Sequence, residues 1–455
     1  MENVEIQEIE SNDLSEHRVS EPPQGWRRFL ALGPGLVWAA SAVGVGSLVF
    51  STRAGAIFGL TLLWAPILTI FIKFFMTELV GRYTLATGEN ALSAFGRVEV
   101  KIGPLKLPRG WIIWIFWVFF IVSVVGMSGI SLAVGSSLHG LFPQLSYVAW
   151  AIIALASVAL VLLGGSYNAL EWISRIMVGL IVFFIFYAVF KKPPPMAEVA
   201  TGLIPTVPAQ SLRELVPLLG WAGAGAIGTV WFSLWTQGSG RGAAGISTEP
   251  APRDTERIKG WIKIGQIDLA VNTVITALLT VGFLVAGYTI LHPESLVPKG
   301  EEMGTVLARI AGVFFGRQGE IIFLVGVFGT LYSTLVANID GLARVASSAL
   351  GFHRGEKRVK NTPYRIFLII YLALAALFAT MIPAPVILLQ LTAVIDTALL
   401  PIVACLSVYI CTHFLSEEFR PNRFTVIMAY CSAAFFVFFI ILLATAVIRG
   451  VQFSL

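Results

Sequence analysis

The amino-acid sequence predicts an all-α integral membrane protein with eleven membrane-spanning helices, arranged as two inverted repeats of five helices plus one further helix. Of the 455 residues, 56% are hydrophobic and only 13% are charged, which is about half the charged share of a soluble domain. Apolar segments of about 20 residues, the length that crosses a bilayer, recur along the chain. The densest glycine clusters fall in the first and sixth of these segments.

Residues 1–25, most of the segment 1–28 before the first span, are polar and acidic and lack a basic stretch followed by a short apolar core. They therefore predict a disordered cytoplasmic tail rather than a signal peptide. A single transmembrane transporter domain is expected over 29–455, with a first repeat at 30–190, a second at 215–412 and an extra helix at 424–448. The predicted spans are 30–56, 59–81, 111–138, 146–164, 168–190, 215–236, 261–288, 319–343, 364–382, 386–412 and 424–448.

The distribution of Lys and Arg predicts the orientation. With the N-terminus placed inside, the inner segments contain 21 of these residues and the outer segments contain 8. Because basic residues are enriched in cytoplasmic loops, the N-terminus is expected in the cytoplasm and the C-terminus outside. The expected location is a prokaryotic cytoplasmic (inner) membrane. The net charge of +5 comes from these loops and gives no reason to expect a nucleic-acid partner.

Glycines interrupt two spans that occupy equivalent places in the two predicted repeats. Span 1 has the sequence Gly44-Val45-Gly46-Ser47 near its centre, and span 6 has four glycines between 220 and 228. Glycine also serves for close helix packing. However, paired interruptions in two halves favour an inverted-repeat transporter, in which helices 1 and 6 unwind and their backbone groups bind substrate. The breaks are expected near 44–47 and 223–229, facing each other.

Several sequence segments are similar to those of a known family. They are Gly33-Pro34-Gly35, Ala54-Gly55-Ala56, Phe58-Gly59, Thr87-Gly88-Glu89-Asn90, the opening of span 5 from Tyr167 to Glu171, and Gly202-Leu203-Ile204-Pro205-Thr206. Over about residues 25–450 the chain resembles the Nramp family of metal-ion transporters, which share the LeuT fold. The resemblance implies transport of a divalent metal ion by alternating access, as a symport with protons.

The chain departs from this family at the metal site. The family's Asp-Pro-Gly-Asn in helix 1 corresponds to Gly44–Ser47 here, and its Met-Pro-His in helix 6 corresponds to Thr229-Val230-Trp231. Gly and Thr do not supply the carboxylate and thioether that a soft divalent ion prefers. The metal ligands therefore remain unknown. The predicted substrate-binding residues are Gly44, Val45, Gly46, Ser47, Gly225, Gly228, Thr229 and Trp231.

Three substrates are consistent with this site: the family's metal ion, a hard cation that keeps its waters, and a small anionic or zwitterionic organic solute. A fourth hypothesis is that the protein is a transport-dead sensor of the same fold. The anionic hypothesis depends on the absence of a carboxylate at the break, since half-helix N-termini carry partial positive charge. No enzymatic activity and no cofactor are expected. The expected partners are the small solute or ion, a proton as candidate co-substrate, and the lipid bilayer.

Ionisable residues within spans are costly and are therefore functional candidates. The candidates for coupling or gating are Arg53, Asp268, Asp340 and Asp396. Arg53 is expected near the outer mouth, either as a snorkelling residue or as a group that attracts an anion. Asp340 has Arg344 four residues on, whereas Asp268 and Asp396 have no such basic partner and could carry a proton or be held by structural hydrogen bonds. Lys73 and Glu78 of span 2 are expected to face an inner vestibule.

Overall fold

The computed structural model of the chain describes residues 19–29, 43–102, 105–164, 167–246, 254–353 and 361–451. This part of the chain is almost entirely helical. Its single small sheet is an antiparallel hairpin of β1 (Val100–Ile102) and β2 (Leu105–Leu107), with Val100 opposite Leu107. The predicted all-α membrane class is confirmed. Of the disordered tail predicted at 1–28, residues 1–18 lie outside the described residues. For the rest the prediction is wrong, since Val19 is buried with its N–H donating to Asp254, and Gly25–Phe29 form a 3₁₀-helix.

The long helices are numbered here by the predicted span in which they fall. They are α1 (Thr52–Phe58, continuing a π-helical turn at Val43–Ser51), α2 (Trp64–Thr87), α3 (Trp111–Leu141), α4 (Tyr147–Gly164), α5 (Tyr167–Lys191), α6a (Leu212–Trp221), α6b (Ala226–Gly238), α7 (Thr255–Ala286), α8 (Met303–His353), α9 (Asn361–Met381), α10 (Pro385–His413) and α11 (Arg423–Ile448). Short helices at Ala91–Gly96 and Met196–Gly202 connect them.

Nine helices in the described part of the chain are long and apolar enough to cross a membrane. The number is ten if the pair Gly179–Lys191 and Met196–Gly202, bent by 119°, counts as one span. Residues 30–42, the first part of predicted span 1, lie outside the described residues, so the total of eleven remains a prediction. α8 begins well before predicted span 8 but is kinked at Gly316, where φ is 59°. The predicted span, 319–343, begins three residues after this kink.

α6 lies at the centre of the helix bundle and α11 lies at its edge. The most apolar window of the α6 region is 94% buried, whereas the corresponding window of α11 is 28% buried. Large apolar side chains of α11, among them Phe438 and Ile441, are exposed. Since a bilayer is the solvent that accepts such a surface, α11 presents it to lipid. The buried helices α1, α2, α6 and α10 carry the polar groups described below.

Two local distortions lie where the glycine clusters predict breaks. In span 6, α6a ends at Trp221 and α6b begins at Ala226; between them Ala222 is extended (ψ 121°) and Gly223 has a φ of 78°. Gly223 provides the left-handed conformation that other residues rarely adopt. Gly228 and Thr229 lie inside α6b, so the break ends earlier than predicted. In span 1 the distortion is a π-helical turn with a non-helical ψ of −113° at Gly44.

The two distortions face each other across a direct backbone contact. A Cβ atom added at Gly46 would lie 2.0 Å from the carbonyl oxygen of Trp221. Only a residue without a side chain allows this approach, because real Cβ atoms keep ordinary van der Waals distances. The predicted juxtaposition of the two glycine segments is therefore confirmed, whereas the unwinding predicted over 44–47 is limited to Gly44, because the rest of Val43–Ser51 stays in the π-helical turn.

This contact predicts the effect of adding one methyl group. Gly46→Ala should lower the unfolding midpoint of the purified protein, since overpacking a close contact costs roughly 1–3 kcal/mol. Gly179→Ala is the matched control, because a Cβ atom there meets nothing within 4 Å. The measurement is thermal unfolding of both variants in the same detergent. An equal midpoint for the two variants would show that the breaks do not touch.

Candidate functional site

A cavity lies beside the two breaks, between the span 1 turn, α3, α6, α8 and α10. Its free volume is about 60 Å³, and one water needs roughly 10–15 Å³ of such space. The cavity therefore suits a small solute, or an ion with a few waters. The polar side chains that line it are Ser123, Thr334, Asn338, Thr392 and Asp396, and its aromatic side chains are Phe119, Trp221 and Trp231.

Asp396 of α10 closes the N-terminal end of α6b. Its Oδ1 accepts a hydrogen bond from the backbone N–H of Ile227 (3.2 Å), and its Oδ2 accepts one from Trp221 Nε1 (2.9 Å). The first N–H groups of a helix lack partners within the helix, and a carboxylate also interacts favourably with the helix dipole. Gly225 allows this approach, because a Cβ atom there would lie 1.7 Å from Oδ2. The expectation of a break without a carboxylate is wrong, since the carboxylate comes from span 10.

Lys73 of α2 closes the other end of the break. Its Nζ donates to the carbonyl oxygens of Gly220 (2.5 Å) and Ala222 (3.0 Å), and Thr69 Oγ1 on the same helix donates to the carbonyl oxygen of Leu219 (2.9 Å). The last carbonyls of α6a have no partners within the helix, and an unpaired carbonyl in a membrane is costly. Helix 2 therefore supplies the donors that make the break in span 6 tolerable.

The predicted substrate-binding residues divide into two groups. Val45, Gly46, Gly225, Gly228 and Trp231 line the cavity, together with the coupling candidate Asp396. Gly44, Ser47 and Thr229 are not among the lining residues. A Cβ atom at Gly44 would meet Thr334 Oγ1 at 2.1 Å, and the Ser47 hydroxyl bonds that of Thr280 at 2.7 Å. Successive residues of a helix point about 100° apart, so only part of a contiguous segment can face one cavity.

Two polar atoms beside the cavity have no hydrogen-bond partner among the described residues. They are Trp231 Nε1, a donor, and Asn338 Oδ1, an acceptor, and both atoms are buried. An unsatisfied buried polar group costs about 1–3 kcal/mol. A bound water or ligand would remove this cost if it accepted a hydrogen bond from the Trp231 indole and donated one to the Asn338 amide oxygen. A cation coordinated by the amide oxygen would satisfy that oxygen as well. Asn338 and Thr334 of α8 and Met127 of α3 were missed by sequence reasoning, because their segments carry no glycine break.

Arg53 does not face an open outer mouth. It is 4% exposed and forms a bidentate ion pair with Glu214 at the start of α6a, with Nη2–Oε1 at 2.5 Å and Nε–Oε2 at 3.2 Å. Its Nη1 donates to the carbonyl oxygen of Pro298, and Gln390 Nε2 donates to Glu214. The guanidinium is therefore neutralised within the protein and is not free to attract an anion.

The other two candidate carboxylates have local partners. Asp340 accepts hydrogen bonds from Arg344 Nε and the Tyr364 hydroxyl, both at 2.7 Å. Asp268 is 1% exposed and accepts from Asn272 Nδ2 at 3.0 Å. Neither residue lines the cavity between the breaks. These contacts fit the structural alternative that the sequence left open.

A second, smaller cavity lies on the other side of α6b. Glu78, Arg241, Gln266 and Asp268 are among its lining residues. Burial lowers the pKa of the Arg241 guanidinium in the loop after α6b, and the charge of Asp268 raises it in part. Glu78 lines this cavity, and the inner vestibule expected for it stays a prediction. The same expectation for Lys73 is wrong, because its side chain is buried against helix 6. Within the described ranges, no three His, Cys, Asp or Glu side chains are grouped to hold a metal ion.

A family comparison matches nearly the whole chain. The model described as "Natural resistance-associated macrophage protein-like" matches residues 35–446. An uncharacterised protein of Pasteurella multocida (strain Pm70) is 25% identical over 388 residues, which cover 80% of this chain and 82% of that protein.

Solved structures show the same fold at low sequence identity. The manganese transporter of Eremococcus coleocola, solved with an aromatic bis-isothiourea substituted compound, superimposes with a TM-score of 0.69 at 14% identity, covering 96% of this chain and 92% of that one. A nucleobase-cation-symport-1 family transporter, solved in a closed conformation with bromovinylhydantoin bound, gives a TM-score of 0.54 at 13% identity, covering 93% and 94%. These similarities show the predicted LeuT-like fold and leave the substrate open.

The buried ion pair of Arg53 and Glu214 predicts that removing one partner destabilises the fold strongly and that removing both restores most of the stability. Arg53→Met should destabilise the fold by roughly 3–5 kcal/mol, because Glu214 is left buried without its countercharge. The double variant Arg53→Met/Glu214→Leu should recover most of this loss, since a well-packed apolar pair avoids the desolvation of both charges. Thermal unfolding of the single and double variants measures the coupling. Additive losses would show that the two side chains are not paired.

Proposed function

The chain belongs to the natural resistance-associated macrophage protein-like (Nramp) family, and from its site we propose that it is a secondary active transporter of a hard, partly hydrated cation. The proposed binding site is the cavity beside the breaks of helices 1 and 6. Asp396 carries the proposal, because it places a carboxylate in a cavity whose described lining contains no Lys or Arg. A buried negative charge in such a cavity favours a positive occupant.

The remaining lining groups support a cation that keeps some of its waters. Asn338 Oδ1 and the hydroxyls of Ser123, Thr334 and Thr392 offer oxygen atoms, the ligands that hard cations prefer. An indole N–H such as that of Trp231 cannot coordinate a cation, but it can donate to a water bound to one. Mg²⁺ dehydrates reluctantly and usually keeps several waters. The limited free volume accommodates an ion with a few waters.

Met127 supports a second candidate, a soft transition metal. Its thioether lines the same cavity as Asp396 and Asn338, so Asp, Asn and Met side chains surround it from three helices. The family's ligand positions themselves hold Gly44, Ser47 and Thr229. A thioether selects soft metals, whereas oxygen ligands alone favour hard ones. The relative affinity for Zn²⁺, which is softer, and for Mg²⁺ therefore separates the two candidates.

The site supports an anionic solute less well. The Arg53 guanidinium is paired with Glu214, and the N-terminal end of α6b already holds the Asp396 carboxylate. A second anion there would meet like charge at close range. The remaining hypothesis, a sensor that binds without transport, is distinguished by uptake measurements.

The topology and energy coupling belong to the same proposal. We place the N-terminus in the cytoplasm and the C-terminus outside a prokaryotic inner membrane, on the basis of the Lys and Arg distribution. Residues 30–190 and 215–412 form the two inverted repeats, and 424–448 the additional helix. A proton is the proposed co-substrate, in line with the acidic residue that the cavity contains.

A competition experiment tests the proposed substrate. Proteoliposomes containing the protein and a trapped Mg²⁺ indicator should take up Mg²⁺, and other hard divalent cations should compete, while small carboxylates should not. Empty liposomes are the control. Competition by carboxylates alone would overturn the proposal in favour of an anionic solute. Stronger competition by Zn²⁺ that Met127→Leu abolishes would favour the soft transition metal. Binding without uptake would favour a sensor.

Asp396→Asn tests the proposed ligand directly. It should lower the apparent cation affinity by at least roughly tenfold, because removal of even an outer partner of a metal ligand typically costs 10–100-fold. Glu99→Gln is the control, since it removes one negative charge from an exposed ion pair with Arg109. Uptake assays report the affinity, and size-exclusion chromatography confirms that both variants fold. Unchanged uptake by a folded Asp396→Asn protein would exclude the residue as the cation ligand.

A further inference from the structure

The ammonium group of Lys73 is enclosed by the break of helix 6 and has no access to solvent. The residue is 1% exposed. An ammonium has three N–H donors. Two of them reach the carbonyl oxygens of Gly220 and Ala222, and the group also lies 5.4 Å from the centroid of the Phe436 ring of α11. Two carbonyl oxygens and one aromatic face therefore surround the charge.

These three partners are of the kind that also attracts a free monovalent cation. The carbonyl end of a helix carries partial negative charge, and the face of an aromatic ring attracts cations. Discontinuous helices of this kind of fold coordinate ions through such unwound carbonyls. In this chain the positive charge at that place is covalently attached to helix 2.

We infer that the Lys73 ammonium is a built-in monovalent cation at the break of helix 6, which makes a free Na⁺ or K⁺ unnecessary there. The inference concerns a place separate from the proposed substrate site, since Lys73 is not among the residues that line the cavity. Asp396, on the other end of the same break, supplies the opposite charge.

Truncation of the Lys73 side chain should leave an empty place in which a cation from solution can bind. Lys73→Ala removes four atoms, Cγ, Cδ, Cε and Nζ, which n-propylammonium replaces atom for atom. The unfolding midpoint of Lys73→Ala should be lower than that of the unsubstituted protein. It should rise with the concentration of added amine, because a ligand that binds the native state stabilises it.

The length and the donors of the amine make the test specific. In a series from ammonium to n-butylammonium, stabilisation of Lys73→Ala should be largest at n-propylammonium, and tetramethylammonium, which has no N–H, should have no such effect. Lys73→Met is the matched control, because its side chain fills the space without a charge. It should also unfold at a lower temperature, and no amine should rescue it.

Two results would overturn the inference. One is a Lys73→Met protein as stable as the unsubstituted protein. The other is a Lys73→Ala protein that n-propylammonium stabilises no more than it stabilises Lys73→Met. If Lys73→Ala does not fold, an experiment on the unsubstituted protein still tests the inference. Its unfolding midpoint should be unchanged when choline replaces Na⁺ and K⁺, and a specific requirement for either ion would contradict a built-in cation. Every experiment here measures an unfolding temperature and none measures transport. The inference about Lys73 can therefore be tested even if the proposed cation transport is wrong.

Discussion

The unpaired backbone at the break of helix 6 is the constraint on which the rest of the site depends. Between Trp221 and Ala226 the helical hydrogen bonds are interrupted in a helix whose most apolar window is 94% buried. In hydrocarbon, such groups must find partners within the protein. Lys73 satisfies carbonyls at one end and Asp396 satisfies an N–H at the other. Both charges are tolerated at this depth because each meets the helix terminus of opposite polarity.

These contacts connect helix 6 to its neighbours at three places along its length. Helix 2 holds the carbonyl end, helix 10 holds the N–H end, and Glu214 at the start of α6a is held by Arg53 of helix 1 and Gln390 of helix 10. Gly46 brings the backbones of helices 1 and 6 into contact. Any motion that separates helix 6 from helices 1, 2 and 10 must therefore exchange hydrogen bonds to buried charges, which favours movement between discrete arrangements over gradual deformation.

The electrostatics of the cavity follow from the same arrangement. The positive charge of Lys73 lies behind the break, and the negative charge of Asp396 faces the cavity. An occupant therefore meets a carboxylate first. Because Asp396 already accepts hydrogen bonds from Trp221 and Ile227, its orientation is fixed before an ion arrives. Preorganised ligands of this kind lose little freedom on binding.

Hydropathy and glycine spacing alone determined the membrane class and the positions of most helices, since each spanning helix must satisfy its own backbone and expose an apolar surface. They also located the distortion at Gly44, the close contact at Gly46 and the break at Gly223, because close backbone contact and a positive φ both require glycine. The partners of those breaks were decided by tertiary structure. Lys73 and Asp396 lie about 150 and 170 residues along the chain from the groups they bind. A sequence pattern of period 3.6 shows only which residues share a face of one helix, and it does not show which helices pack together. For the same reason, the absence of acidic residues near Gly44 and Gly225 predicted a site without a carboxylate, whereas the packing of helix 10 against helix 6 supplied one.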